Sequence, residues 1–276
     1  MTKRILILGA SGTIGASLFR HLSCNKNFTV TGTYFSAAKA NSPSMIRFSV
    51  ESPGDICSIL KQVQPDLVIS ALRGDFDKQL ITHENTAKYL AANNRKLIYL
   101  STANVFDGDC SQPHYETDPR ISDSDYGKFK IQCEDLLQDR LGSRAVLLRI
   151  PFVWGKNSPR LKAVKKGCET GQLDVYTEFF SNHVSDLQIA RFIQWIIEKD
   201  KEGIFHVGTS DVIAYQQFME QLIKAMGMKH PAFVCEKSPG TMAVLSHRED
   251  VPDELTLSAK QLIQYLCKTE ITTSVR

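Results

Sequence analysis

Two residues four apart, Tyr126 and Lys130 in the run Tyr-Gly-Lys-Phe-Lys, could together move a proton. On a helix they share one face, about 6 Å apart. A phenol titrates at about 10 and stays protonated at neutral pH, but a nearby ammonium stabilises its phenolate and brings proton transfer into range. Phe129, Cys133, Leu136 and Leu137 carry the helical period that would seat such a helix on a core. Taken alone, the pair reads more readily as surface decoration, so other residues must point the same way. Gly9, Gly12 and Gly15 do: they follow the aliphatic run Ile5 to Leu8 and precede an apolar, helix-like stretch. A strand that ends in glycines before a helix lets backbone approach a phosphate, with free N–H groups and partial positive charge at the helix start. The loop Gly9-Ala-Ser11-Gly12-Thr13-Ile14-Gly15 is therefore read as a nucleotide site rather than as a plain tight turn.

Elements must hold these groups in place. β-rich runs alternate with helical patterns through the first half, and the runs are continuously apolar. This predicts an α/β fold, a doubly wound parallel sheet of six or seven strands with helices on both faces. Helices are expected near 13–22, 54–64, 78–94 and 126–140, which places Tyr126 and Lys130 at a helix start. The alternation supports a dinucleotide-binding unit over 1–154. After it the rhythm changes, and 155–182 with 211–276 are read as a small substrate-binding region. Residues 183–210 read as a helix, begun by Ser185 with Gln188 in a capping box, and a strand that return to the main sheet.

The chain has 276 residues, 42% of them hydrophobic, enough for a substantial core. Its 33 basic and 30 acidic residues give a net charge of +3, so no broad field points to nucleic acid. No apolar run approaches the roughly 20 residues of a membrane span, and no signal-peptide pattern opens the chain, so a cytoplasmic protein is expected. Seven cysteines lack paired spacing and a nearby histidine set, which predicts reduced thiols and no zinc or other metal site.

The glycine spacing, wider than GxGxxG, resembles the first turn of the extended short-chain dehydrogenase/reductases. That family's YxxxK motif matches Tyr126 and Lys130, with Lys130 rather than Lys128 in the lysine position. The run 99–108 resembles the strand end whose hydroxyl binds the substrate carbonyl, which implies Thr102, 24 residues before Tyr126. The resemblance implies hydride transfer from a nicotinamide with Tyr126 as proton donor and Thr102, Tyr126 and Lys130 as the catalytic set. It further implies cofactor contacts from Ser70 and Ala71, from the Pro151 to Val153 backbone, and from Asn85, which reads equally as a helix N-cap. NAD-preferring relatives place a carboxylate at the end of the second strand. Here Tyr34 holds that place with Ser36 and Lys39 beyond, which favours NADP(H) over NAD(H).

Within the family, the runs at 101–108, 113–119, 126–134, 185–193 and 203–208 resemble dTDP-4-dehydrorhamnose reductases and their sugar-nucleotide-binding relatives. This implies reduction of a nucleotide-linked 4-keto sugar, with Arg73, Asn104, Phe106 and Arg160 against the substrate. Lys162, Lys165 and Lys166 are further cations for a diphosphate, or a solvated helix face. Ala103 and Asn104 stand where dehydratases resemble each other in an acid pair, which argues against elimination. A sugar-nucleotide epimerase is an alternative, and so is an NADP-binding regulatory subunit resembling that of methionine adenosyltransferase. A small-molecule substrate is expected as the partner, without nucleic acid or membrane, and a homodimer is compatible with the sequence.

Overall fold

The computed structural model describes residues 2–36 and 43–268. Seven strands, numbered in chain order, form the main sheet: β1 (Lys3–Leu8), β2 (Phe28–Tyr34), β3 (Met45–Arg47), β4 (Leu67–Ser70), β5 (Lys96–Thr102), β6 (Ala145–Ile150) and β10 (Ile204–His206). They run parallel in the order β10-β6-β5-β4-β1-β2-β3. The winding reverses between β1 and β4, and at such a switch point a crevice opens beyond the carboxyl ends of the strands.

Helices cover both faces, which is why the strands are apolar throughout. On one face α1 (Thr13–Ser23) and α6 (Asp186–Glu198) bury Leu18, Leu22, Ile189 and Ile193 with Ile5 and Ile7. On the other, α2 (Asp55–Val63), α3 (Phe76–Ala92) and α4 (Asp125–Leu141) bury Ile56, Leu90, Phe129, Cys133 and Leu137 against Leu6 and Leu8. The Ser185 hydroxyl caps α6 through the Gln188 amide at 2.9 Å. The expected capping box is only half formed, because the Gln188 side chain donates instead to the Gly208 and Leu255 carbonyls.

The stretch after 155 holds more regular structure than its composition suggests. α5 (Pro159–Thr170) starts at the Ser158 cap and stops at Gly171 with φ 84°, and β8 (Gln172–Ser181) follows at once. β8 is flanked by β11 (Ile213–Ala214) and β12 (Ala232–Met242) in a three-stranded sheet. β12 is mostly exposed and contains Pro239 at a shift in its register with β8, so neither periodicity nor composition marks it as a strand. α5, α7 (Tyr215–Ala225) and α8 (Ala259–Cys267) share a core of Trp154, Leu161, Phe218 and Leu262. β7 (Phe152–Trp154) pairs with β9 (His183–Ser185), tying this part to the end of β6. Among the described residues no helix is long and apolar enough to cross a membrane.

Candidate active site

The first part of the site is the turn from β1 to α1. Gly9 adopts φ 81°, and a Cβ there would lie 2.7 Å from the Ala71 carbonyl oxygen. A Cβ on Gly15 would lie 2.2 Å from the Gly9 carbonyl oxygen, so this glycine lets α1 close on the turn. Gly12 is different: its nearest neighbour would be 3.4 Å away. Packing explains the outer two glycines, while the middle one leaves room for a ligand. No acidic residue occupies the first turn of α1, whose amides lack intrahelical partners.

A cavity of about 450 Å³ opens over this turn, lined by the loop from Gly9 to Gly15, by Tyr34, and by 71–74 from the end of β4. Glu51 also lines it and is ion-paired with Lys78. A second cavity of about 590 Å³ shares Thr13, Ile14 and 71–74 with the first. It continues past Thr102, Asn104, Tyr126 and Lys130 to Pro151, Val153 and Arg160. Three cations, Arg73, Lys130 and Arg160, and no carboxylate of the described residues line it.

Thr102 ends β5 and caps a short 3-10 turn, Ala103–Phe106, by accepting from the Asn104 amide at 3.3 Å. Its hydroxyl donates to Asn104 Oδ1 at 2.9 Å. Tyr126 lies in the first turn of α4, which the Ser124 hydroxyl caps at the Gly127 amide, 3.1 Å away. Gly127 makes this placement possible, since a Cβ would fall 2.2 Å from the Asn104 carbonyl oxygen. The glycine of Tyr-Gly-Lys-Phe-Lys thus lets the helix bearing Tyr126 abut the turn after Thr102.

Lys130 is buried beneath Tyr126, with Nζ 2.9 Å from the Leu100 carbonyl oxygen, 4.5 Å from the Tyr99 ring centroid and 5.8 Å from that of Tyr126. Burial lowers its ammonium to about 8, and Arg73 acts in the same direction, against Cys133 and Glu134. Burial pushes the Tyr126 phenol up, opposed by the positive charge of Arg73 and by the Thr102 hydroxyl.

Sequence reasoning missed the residues that hold this arrangement. Asp107 gathers the approach to α4: it accepts from the Ser122 hydroxyl at 2.6 Å, the Asp123 amide at 2.8 Å and the Ser124 amide and hydroxyl. Glu134, one turn after Lys130, accepts from Arg149 Nη2 at 2.8 Å and Arg120 Nη1 at 3.2 Å and from the Ser101 hydroxyl, with no exposed surface. A carboxylate one turn beyond the lysine and an arginine inside an otherwise apolar strand were the available signals.

Other expected residues lie elsewhere. Ser70 lines neither cavity; its hydroxyl is 2.8 Å from His83 Nε2. His83 is buried, and burial holds its imidazole at about 3. Asn85 lies within α3 rather than at its cap, which is Asp75, and lines neither cavity. Phe106 turns away from the cavities and stacks on His114 at 4.5 Å between ring centroids. Ser36 lines neither cavity, and Lys39 lies outside the described residues. Arg160 reaches the second cavity across the Phe152 and Trp154 rings, at 4.8 and 5.5 Å from their centroids, whereas Lys162, Lys165 and Lys166 form the exposed face of α5. Among the described residues no group of three or more His, Cys, Asp or Glu is placed to hold a metal.

Known proteins share this architecture. The structure of a dTDP-4-dehydrorhamnose reductase from Clostridium acetobutylicum superposes with a TM-score of 0.81 at 18% identity, covering 95% of this chain and 98% of that one. A dTDP-4-dehydrorhamnose reductase from Bacillus anthracis, solved in complex with NADP, gives 0.81 at 16% identity, covering 96% and 99%. Among curated sequences, methionine adenosyltransferase 2 subunit beta of Bos taurus is 27% identical over 231 residues, 74% of this chain. The match spans 66% of that relative's length. The sequence model of the RmlD substrate binding domain matches residues 3–269, and the chain belongs to that family.

Proposed function

We propose that this protein is an NAD(P)H-dependent carbonyl reductase of the short-chain dehydrogenase/reductase type, with Tyr126 as proton donor. The observation that carries the reading is the shared wall, Thr13, Ile14 and 71–74, which joins the cavity over the glycine turn to the cavity holding Thr102, Tyr126 and Lys130. The open space at Gly12 and the free amides of α1 fit a pyrophosphate, with Tyr34 farther along the same cavity and Ala71, Pro151 and Val153 on the side of Tyr126. When bound there, a nicotinamide dinucleotide supplies hydride to the carbonyl carbon. Thr102 and Tyr126 hold the carbonyl oxygen, Tyr126 gives it a proton, and Lys130 beneath the ring keeps positive charge near the phenolate left behind.

The substrate we propose is a nucleotide-linked 4-keto deoxysugar. Its support is the cationic lining of the second cavity, Arg73 and Arg160 included, together with the resemblance to dTDP-4-dehydrorhamnose reductases. Asn104 lines the same wall as Thr102 and is available to a sugar hydroxyl. NADP(H) is preferred over NAD(H), because Tyr34 and Phe35 stand where a ribose-binding carboxylate would repel a 2′-phosphate, and Glu51 nearby is already paired with Lys78.

The similarity to methionine adenosyltransferase 2 subunit beta supports a second reading, a dinucleotide-binding partner subunit. Turnover separates the two. The purified protein should oxidise NADPH with at least one dTDP-linked 4-keto-6-deoxysugar. NADPH bound without oxidation across such a panel would support the partner subunit.

A further inference from the structure

Arg73 stands where the two cavities meet and belongs to both walls. Its backbone is held on either side. The Ala71 amide donates to the Leu8 carbonyl at 2.9 Å, and the buried Gln79 side chain donates to the Gly74 carbonyl at 2.7 Å. Gly74 turns at φ 135°, where a Cβ would lie 2.6 Å from Val50. Among the described residues no ion pair or hydrogen bond occupies the guanidinium, and none of the carboxylates lines the cavity it shares with Tyr126. Lys130, by contrast, is already engaged by the Leu100 carbonyl and the Tyr99 ring.

Around Tyr126, α4 contributes Lys130 and Cys133, β5 contributes the hydroxyls of Thr102 and Tyr99, α3 contributes the Phe76 ring, and the turn after β4 contributes Arg73. Arg73, Lys130 and Arg160 all line the cavity with Tyr126, and of the three Arg73 is the cation that is unpaired among the described residues and whose charge opposes burial of the phenol.

We infer that Arg73 is a positioning residue that acts through Tyr126, its guanidinium stabilising the phenolate formed when Tyr126 gives its proton to the substrate oxygen. In that step the Tyr126 O–H bond breaks, the proton joins the oxygen of the carbonyl receiving hydride, and the negative charge stays on the phenol oxygen. A proton from solvent then restores the phenol. The inference rests on the proposed role of Tyr126 as proton donor. It gives Arg73 a task separate from binding substrate, and it agrees with the direction in which Arg73 moves the phenol against burial.

The first readout needs neither substrate nor cofactor. Tyrosinate absorbance is titrated in the wild type and in Tyr126→Phe, and the difference isolates Tyr126. The pair is repeated on Arg73→Met and Arg73→Lys backgrounds, with Arg73→Gln in reserve should the methionine variant misfold. The expected result is an upward shift of the Tyr126 midpoint by up to about one pH unit without the charge, largely restored by lysine. The alkaline limb of NADPH oxidation should move the same way. An unmoved midpoint overturns the inference, and an unmoved midpoint with weakened NADPH binding assigns Arg73 to the cofactor's phosphates instead. Full turnover in Tyr126→Phe would overturn the proton-donor reading, a result the titration alone does not produce.

Discussion

The Lys130 ammonium donates to the Leu100 carbonyl at 2.9 Å from a position only 6% exposed. An ion taken from water is costly even when bonded, and this one has a carbonyl and aromatic rings rather than a carboxylate within bonding reach. Its burial is a stability cost retained where the proposed chemistry needs a charge.

Lys130→Met should therefore lose turnover by roughly 10²-fold or more while melting no lower than the wild type. The pH dependence has a definite sign. The native ammonium is lowered to about 8 from 10.5, so between those values the unfolded chain holds a proton that the native protein has released. Stability from this group rises with pH across that window. Thermal melts at stepped pH should show the rise in the wild type and its absence in Lys130→Met.

Glu134 gives a rise of the same sign in an acid window, and there as a stabilising contribution rather than as a cost relieved. Burial alone would raise its carboxyl, but pairing with Arg149, the Ser101 bond and Arg120 outweigh it and hold the group below 4.5. The stability it contributes is present above the unfolded value and lost as pH falls through the lower native one. Glu134→Gln leaves Arg149 buried without its counter-ion and should cost about 3 kcal/mol at neutral pH. Urea melts at neutral pH and below pH 4.5 should show that loss shrinking, because there the unfolded carboxyl takes up a proton before the native one does.

The glycines of the first turn should separate into two kinds. Gly15→Ala collides with backbone at 2.2 Å and should destabilise the fold by about 1–3 kcal/mol. Gly12→Ala meets only a 3.4 Å neighbour, so it should melt like the wild type and bind NADPH more weakly. Melting temperature and the fluorescence of bound NADPH, read on the same samples, distinguish them.

Asp107 touches neither cavity, yet it holds Ser122, Asp123 and Ser124 ahead of Tyr126. Asp107→Ala should lower kcat by up to about 100-fold through misplacement of Tyr126 and leave NADPH affinity near the wild-type value. Steady-state kinetics with a separate binding titration would show the split.

These predictions draw unequally on the sequence. The parallel sheet, the glycine turn, and the convergence of Thr102, Tyr126 and Lys130 were legible because each leaves a local signature: apolar strands, fixed spacing, a helical period. Asn85 and Phe106 line neither cavity because the same pattern fits either face of an element, and tertiary packing turned Asn104 rather than Phe106 toward the site. β8 and β12 went unread because a largely exposed sheet needs no hydrophobic run. Asp107 and Glu134 act through partners far away in sequence, and no local spacing announces them.

The central claim is that Tyr126 delivers a proton to a carbonyl that receives hydride from a nicotinamide. Its most direct test is NADPH oxidation with a dTDP-linked 4-keto-6-deoxysugar, in the wild type and in Tyr126→Phe. The wild type should turn over, the variant should lose roughly 10²-fold or more of that rate, and NADPH affinity should be the same in both. Equal turnover in the two proteins would contradict it.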